Sequence, residues 1–240
     1  MKDFLLENYL LLTTIVEYSA AVTGLILYNK YKHTAAKYFI WFLWYLSICD
    51  FASNYTRCIK DDGLFSFLEG TVFVQNYWFA TLYWFIGAIV FVSFYFSKIL
   101  NNSVFKTIIK YTTSAFVLMS FIWVFTHWEA FFKIFFPVIN VTGALVVFMC
   151  VMFYFIEVLL SDKILNFYRS LNFYIGFAFF IWWTITTPFV FYGIYFGGGD
   201  MVFRKLQSLM YLIANIAMYL TFTLALIWCR PEKKTEVSLV

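Results

Sequence analysis

Residues 37–57, KYFIWFLWYLSICDFASNYTR, join a membrane-length apolar run to a polar stripe. The run 38–55 is long enough and apolar enough to cross a bilayer as a helix. Its second half carries polar side chains at spacings of three, four and three residues: Ser47, Asp50, Asn54 and Arg57. On a helix these four side chains lie along one stripe, so the sequence predicts a polar face within a membrane-spanning segment.

The stripe has two interpretations that the sequence leaves open. A carboxylate in hydrocarbon costs about 3 kcal/mol on insertion scales, so Asp50 is expected to face protein or water and not lipid. The stripe is then either a buried packing ladder or a site for a ligand, an ion or a proton. We predict that Asp50 and Arg57 face the bundle interior. The polar groups expected near Asp50 are Asn54, Glu17 and Asn215. If the two carboxyl groups meet, their repulsion would keep one of them protonated.

The composition of the whole chain is that of a membrane protein. Its 240 residues are 63% hydrophobic and 12% charged, whereas soluble domains carry about 25% charged residues. A transmembrane β-barrel would show segments of about ten residues with alternating hydrophobicity, and the sequence lacks that pattern. An α-helical bundle is therefore the predicted architecture.

Seven apolar segments predict an all-α, polytopic membrane protein with a seven-transmembrane-helix bundle. Each segment is near or above the roughly 20 residues that a helix needs to span a bilayer. They cover 9–28, 38–55, 77–96, 108–125, 136–160, 173–196 and 206–228. Residues 1–230 are thus predicted to form one transmembrane domain, and residues 231–240 a short cytoplasmic tail.

The lysines and arginines predict the orientation of the bundle, because cytoplasmic loops carry an excess of them. The first, third and fifth connections and the C-terminal tail hold 11 of the 17. The opposite side holds Lys2, Arg57, Lys60, Lys133, Arg204 and Lys205. We therefore expect the N-terminus outside and the C-terminus in the cytoplasm, in the inner (plasma) membrane of a bacterium.

A second polar stripe lies at the start of the last segment. Its side chains are spaced by four, three and four residues: Arg204, Ser208, Tyr211 and Asn215. The first segment contributes Glu17, for which a hydrogen-bonded packing role also stays open. Most of these residues fall in the outer half of the bundle, a common depth that unrelated packing contacts would not need. The predicted ligand or ion pocket consists of Glu17, Asp50, Asn54, Arg57, Tyr211 and Asn215.

Several kinds of chemistry lack the residues they need. The two histidines stand apart from any glutamate cluster, and the four cysteines lack CxxC spacing. Neither a metal site nor a disulfide framework is therefore predicted. The Gly-x-Ser-x-Gly elbow of serine hydrolases is also missing from the sequence. We expect no enzyme activity, no cofactor and no nucleic-acid partner.

Seven helices with an outer N-terminus resemble the arrangement of microbial rhodopsins and of G-protein-coupled receptors. Retinal proteins need a lysine in the middle of the seventh helix, and the segment 206–228 has none. The receptor motifs DRY and NPxxY are missing as well. The stretch YNKYKHTAAKYFIWFLWYL, residues 28–46, is similar to small uncharacterised seven-helix bacterial membrane proteins, mainly over the first two helices. That resemblance implies a fold and no particular activity.

The first functional hypothesis is a receptor-like or sensory protein of the lipid bilayer that signals through a separate cytoplasmic or membrane partner. It rests on the outer polar pocket, and the basic inner loops would supply the docking surface. One alternative is a transporter or channel subunit that uses Glu17 and Asp50 as proton or cation sites. Inverted repeats are common in carriers, and none is evident in this sequence. The other alternative is a structural subunit of a larger membrane assembly.

Overall fold

The described chain is 86% helical. The computed structural model describes residues 2–59, 63–196 and 201–231. Within these ranges the β-type pairing is a single isolated bridge between Ser170 and Arg230. The predicted all-α fold is confirmed. Nearly all of the predicted tail 231–240 lies outside the described residues.

Seven long helices account for most of the described chain, and the predicted apolar segments fall on them. We label them in chain order as α1 (Tyr9–Ile26), α2 (Ala36–Ser53), α3 (Tyr77–Ile99), α4 (Ser103–Thr126), α5 (Pro137–Leu159), α6 (Leu171–Phe196) and α7 (Met201–Trp228). Shorter helical turns cover Lys2–Glu7, Tyr28–Tyr31, Asn54–Cys58, Ser66–Leu68, Val72–Val74, Trp128–Phe131 and Asp162–Arg169.

Six of the described helices are long and apolar enough to cross a membrane, namely α1 and α3 to α7. They mark the chain as an integral membrane protein. The remaining long helix, α2, has 18 residues. It carries Lys37 and Asp50 together with tryptophans and tyrosines, which lower its mean hydropathy.

The helices form a ring with one helix outside it. Following the contacts around the ring gives α1, α2, α3, α5, α6, α7 and α1 again. The remaining long helix, α4, packs against α3 and α5 from the outer side. Small residues bring helices of the ring close together, because they let two backbones approach. A Cβ added to Gly24 of α1, for example, would lie 3.2 Å from Ile40 of α2.

Aromatic side chains fill the middle of the ring. Phe39 of α2 and Phe222 of α7 are both fully buried, with ring centroids 4.8 Å apart. Phe179 of α6 packs against Phe222 at 5.5 Å. This group, which we call the aromatic core (Phe39, Phe179 and Phe222), separates the N-terminal end of the bundle, where α1 begins, from the opposite end.

The opposite end is tied together by hydrogen bonds to the last turn of α7. The Lys30 ammonium donates to the carbonyls of Leu226 and Ile227, both at 3.1 Å. The Tyr31 hydroxyl lies 2.9 Å from the Leu226 carbonyl and 2.8 Å from that of Cys229. These carbonyls have no partner within the helix, and a cation is favourable at a helix C-terminus. Burial there lowers the pKa of Lys30 and raises that of Tyr31.

Candidate functional site

A cavity of about 600 Å³ lies in the half of the ring toward the N-terminal end. Among the residues described, all six ring helices contribute to its lining and α4 does not. The polar part of the lining is Tyr9, Thr13, Asp50, Tyr83, Asn140, Trp182, Gln207, Ser208, Tyr211, Asn215 and Tyr219. Asp50 of the first polar stripe and Ser208, Tyr211 and Asn215 of the second thus belong to the lining of one cavity.

Asp50 supplies the carboxylate of the cavity, in the last turn of α2. The Tyr83 hydroxyl of α3 donates a hydrogen bond to Asp50 Oδ1. The carbonyl of Asp50 accepts from Ser53 Oγ at 2.9 Å and from Asn54 Nδ2 at 2.8 Å. These two bonds stabilise the point where α2 ends. Side chain and backbone of Asp50 are therefore both held in place.

Tyr83 is presented by an unusual turn of α3. Residues Thr81–Ala88 form a π-helix between two α-helical stretches, and such wide turns occur frequently at functional sites. The Tyr45 hydroxyl of α2 reaches into this turn and donates to the Tyr83 carbonyl at 3.3 Å. A glycine makes room for it, since a Cβ on Gly87 would lie 2.6 Å from the Tyr45 oxygen.

Glu17 of α1 lies beside Asp50, outside the cavity lining. It is only 2% exposed, and its carboxyl group interacts with Asp50. Its Oε1 is buried without a hydrogen-bond partner, as is the Ser47 hydroxyl. The structure thus brings two carboxyl groups together inside the bundle. Within the described ranges, no group of three histidine, cysteine or carboxylate side chains could hold a metal ion.

Aromatic side chains form much of the cavity wall. Trp84 of α3 and Trp182 of α6 meet edge to face with centroids 5.1 Å apart. The Trp182 indole donates to Asn215 Oδ1 of α7 at 2.7 Å, which fixes its orientation. Phe85 and Phe135 close another side, with centroids 5.5 Å apart. The wall is therefore both apolar and rich in π-faces.

Two polar atoms of the lining are buried without a partner. They are Thr13 Oγ1 on α1 and Asn140 Oδ1 on α5. Most buried polar atoms in proteins are hydrogen-bonded, so such exceptions require an explanation such as a bound ligand or water. In the described part of the chain, the lining contains a carboxylate and no lysine, arginine or histidine. The cavity therefore favours positive charge and hydrogen-bond donors.

The six predicted pocket residues have different positions. Asp50, Tyr211 and Asn215 line the cavity, and Glu17 lies beside Asp50. Asn54 bonds to the Asp50 carbonyl and does not reach the lining. Arg57 is exposed, so the prediction that it faces the bundle interior was wrong. The chain changes from α to 3₁₀ geometry at Asn54, and about 120° per residue in place of 100° turns Arg57 off the face of Asp50.

The predicted set missed Tyr83, Trp182, Asn140 and Thr13. Tyr83 and Trp182 stand in aromatic-rich runs, where a single ring gives no sign of its direction. The π-helix that directs Tyr83 has no signature in the sequence. For Thr13, Tyr83 and Asn140 the available signal was position, because each lies in the half of its helix nearer the N-terminal end of the bundle, as Asp50 does.

Comparison with known proteins assigns no relative to the chain. No protein-family model, curated protein or solved structure matches it. The functional interpretation therefore rests on the chemistry of the cavity.

Proposed function

We propose that this protein is a receptor-like integral membrane protein whose cavity binds a small ligand with an amine group and an apolar body. One observation carries the proposal. Asp50 presents a carboxylate to an aromatic-walled cavity whose described lining has no cationic side chain. A ligand cation is attracted both by a carboxylate and by the faces of tryptophan and tyrosine rings.

The other polar groups support the same ligand chemistry. The free Asn140 Oδ1 accepts hydrogen bonds and cannot donate them, and the free Thr13 hydroxyl can do either. The Tyr83 hydroxyl holds the Asp50 carboxylate at the cavity wall, where a ligand amine can reach it. A volume of about 600 Å³ lies within the range usual for small-molecule sites.

The closed middle of the bundle favours a receptor over a channel. The aromatic core lies between the cavity and the opposite end, and each of its rings is at most 2% exposed. Helix α7 runs past this core, from Gln207 at the cavity to Leu226, whose carbonyl accepts from Tyr31. A shift of α7 on ligand binding would therefore change the surface at the opposite end, where we propose that a separate partner docks.

We further propose that α2 is a seventh membrane span. It lies in the ring between α1 and α3. Both of these neighbours are long and apolar enough to cross the bilayer. Seven spans and the lysine and arginine distribution give an outer N-terminus and a cytoplasmic C-terminus. In keeping with the resemblance noted above, the membrane would be the plasma membrane of a bacterium.

Fusions at the C-terminus of the full chain test this topology in bacteria. A cytoplasmic C-terminus gives a fluorescent green fluorescent protein fusion and an inactive alkaline phosphatase fusion. If α2 did not cross the membrane and the N-terminus were outside, six spans would reverse both results. An active phosphatase fusion with a dark fluorescent fusion therefore contradicts seven spans with an outer N-terminus.

Thermal unfolding of the purified protein with a panel of amines tests the ligand class. Phenethylamine, tryptamine and a trimethylammonium analogue are compared with phenethyl alcohol, which lacks the charge. Binding to the folded state raises the midpoint of unfolding. We expect an amine to raise it in the wild type and not in Asp50→Asn, whereas Asp162→Asn, an exposed control at the opposite end, keeps the shift.

Two results would contradict the amine proposal. One is an equal shift with the amine and with the uncharged alcohol. The other is an undiminished amine shift in a folded Asp50→Asn protein.

A second candidate function is transport of protons or small cations. It is favoured by the Glu17–Asp50 pair, in which Glu17 Oε1 has no hydrogen-bond partner. Two adjacent carboxyl groups can share, release and recapture one proton. Proteoliposomes with an internal pH-sensitive dye test this function. Proton flux that is lost when Glu17 is replaced supports transport. Vesicles that show no flux under a proton gradient exclude it.

A further inference from the structure

A second cavity lies on the outside of the ring, in the groove between α3 and α4. Its volume is about 730 Å³, and none of its lining residues belongs to the ligand cavity. The groove lies in the half of the bundle toward the opposite end. Several apolar side chains that line it are exposed, among them Leu118 at 65% and Phe121 at 44%. In a membrane these side chains face lipid.

Three lysines gather where the groove reaches the end of the bundle. Lys98 stands in the last turn of α3, and its ammonium lies 5.4 Å from the centre of the Phe94 ring. Lys106 and Lys110 stand near the start of α4, four residues apart and therefore on one face of the helix. The described groove lining includes no aspartate or glutamate. This end of the groove is therefore positively charged.

Glu157, a carboxylate that lies near this end in space, is already hydrogen-bonded. Glu157 of α5 accepts hydrogen bonds from the backbone N–H groups of Asn101 and Asn102, at 2.9 and 3.0 Å. It also accepts from the Asn101 side chain at 2.7 Å. Glu157 thus stabilises the connection between α3 and α4. None of these hydrogen bonds involves the three lysines.

Hydroxyl groups line the groove next to the lysines. Ser97 and Ser114 donate to carbonyls of their own helices at 2.8 and 2.9 Å, which leaves their oxygens able to accept only. Thr113 Oγ1 differs, since it is buried and has no hydrogen-bond partner. One hydroxyl donor is therefore available beside the ammonium groups.

The rest of the groove is apolar. From Lys110 to Phe121, α4 extends by about 16 Å, at 1.5 Å per residue. Over this length the lining contributes Val90, Phe94, Val117, Leu118 and Phe121. An apolar track of this length suits a large part of one acyl chain, while a free phosphate or a soluble anion would leave it unused.

We propose that the groove between α3 and α4 binds an anionic phospholipid. The phosphate contacts Lys98, Lys106 and Lys110 and accepts a hydrogen bond from Thr113, and one acyl chain lies along Val117 and Phe121. Basic pockets between transmembrane helices bind anionic headgroups. This site is independent of the ligand cavity and of the orientation of the bundle.

Native mass spectrometry of the detergent-purified full chain tests the proposal with three probes. They are phosphatidylglycerol, phosphatidylcholine with the same acyl chains, and glycerol 3-phosphate. We expect the wild type to retain phosphatidylglycerol in preference to phosphatidylcholine. Glycerol 3-phosphate, which lacks the acyl chains, should not displace it at equal concentration.

Matched lysine variants locate the bound lipid. We expect Lys106→Gln with Lys110→Gln to weaken phosphatidylglycerol binding about tenfold or more. The control Lys32→Gln with Lys37→Gln removes the same charge at the same end of the bundle and should leave binding unchanged.

Three outcomes overturn the proposal. The first is equal retention of the two lipids by the wild type. The second is displacement of phosphatidylglycerol by glycerol 3-phosphate, which would indicate a phosphate site without an acyl track. The third is an equal loss in both lysine variants, which would indicate attraction by overall charge. The first two need no variant, so the result does not depend on how a variant folds.

Discussion

The two ends of the helix ring treat buried polar groups differently. At the opposite end, the buried Tyr95 hydroxyl donates to Asn172 Oδ1 at 2.5 Å, and Tyr31 bonds to α7. At the N-terminal end, Glu17 Oε1 and Asn140 Oδ1 are buried without a partner. The same helices supply both ends. A region selected for packing alone would not keep such atoms unpaired, because each costs about 1–3 kcal/mol.

The largest expected effect comes from the aromatic core. Phe222→Ala removes a fully buried ring and should lower the free energy of unfolding by about 3 kcal/mol. Phe189→Ala removes a ring from the wall of the ligand cavity, where packing is already incomplete, and should cost less than half as much. Equilibrium unfolding in denaturing detergent, followed by circular dichroism, measures both. Equal costs would mean that the two ends are packed alike.

The next effect concerns the bond between Tyr83 and Asp50. Tyr83→Phe removes the donor that orients the carboxylate. A hydrogen bond to a charged group contributes about 1.5–3 kcal/mol, so amine affinity should fall at least tenfold. The control Tyr77→Phe changes the same group near the start of α3, outside the cavity lining. Calorimetric titration with phenethylamine measures both. Unchanged affinity in Tyr83→Phe would remove Asp50–Tyr83 from the proposed site.

The sequence could predict features that depend on hydrophobic length and regular helical spacing, but not those that depend on local changes of helix geometry. Apolar length located the seven long helices, because spanning a bilayer requires about 20 apolar residues whatever their neighbours are. The cost of a buried carboxylate led to Asp50, and helical spacing within the last segment led to Tyr211 and Asn215. The roles of Tyr83 and Arg57 depend on a π-turn and a 3₁₀ turn. Such local changes of helix geometry are fixed by tertiary contacts and leave no periodic pattern.

A smaller effect is expected at the opposite end. Tyr31→Phe removes the hydroxyl that bonds to the last turn of α7 and should lower the free energy of unfolding by about 1 kcal/mol. Tyr31 lies outside the cavity lining, so a change in amine affinity would have to pass through α7. Tyr28→Phe, in the same short helix, is the control for stability. Lost amine binding in a folded Tyr31→Phe protein would show that the two ends are energetically coupled.

The smallest effect is expected at Arg57, which belongs to the same sequence stripe as Asp50. Arg57 is exposed and does not reach the cavity, and surface substitutions usually change stability by less than about 0.5 kcal/mol. Arg57→Gln should therefore leave both the unfolding free energy and the thermal shift with phenethylamine at wild-type values. Asp50→Asn, measured in parallel, should lose the shift. If Arg57→Gln also lost it, the arginine would act on the cavity despite its exposure, and the full stripe predicted from the sequence would be restored as one functional unit.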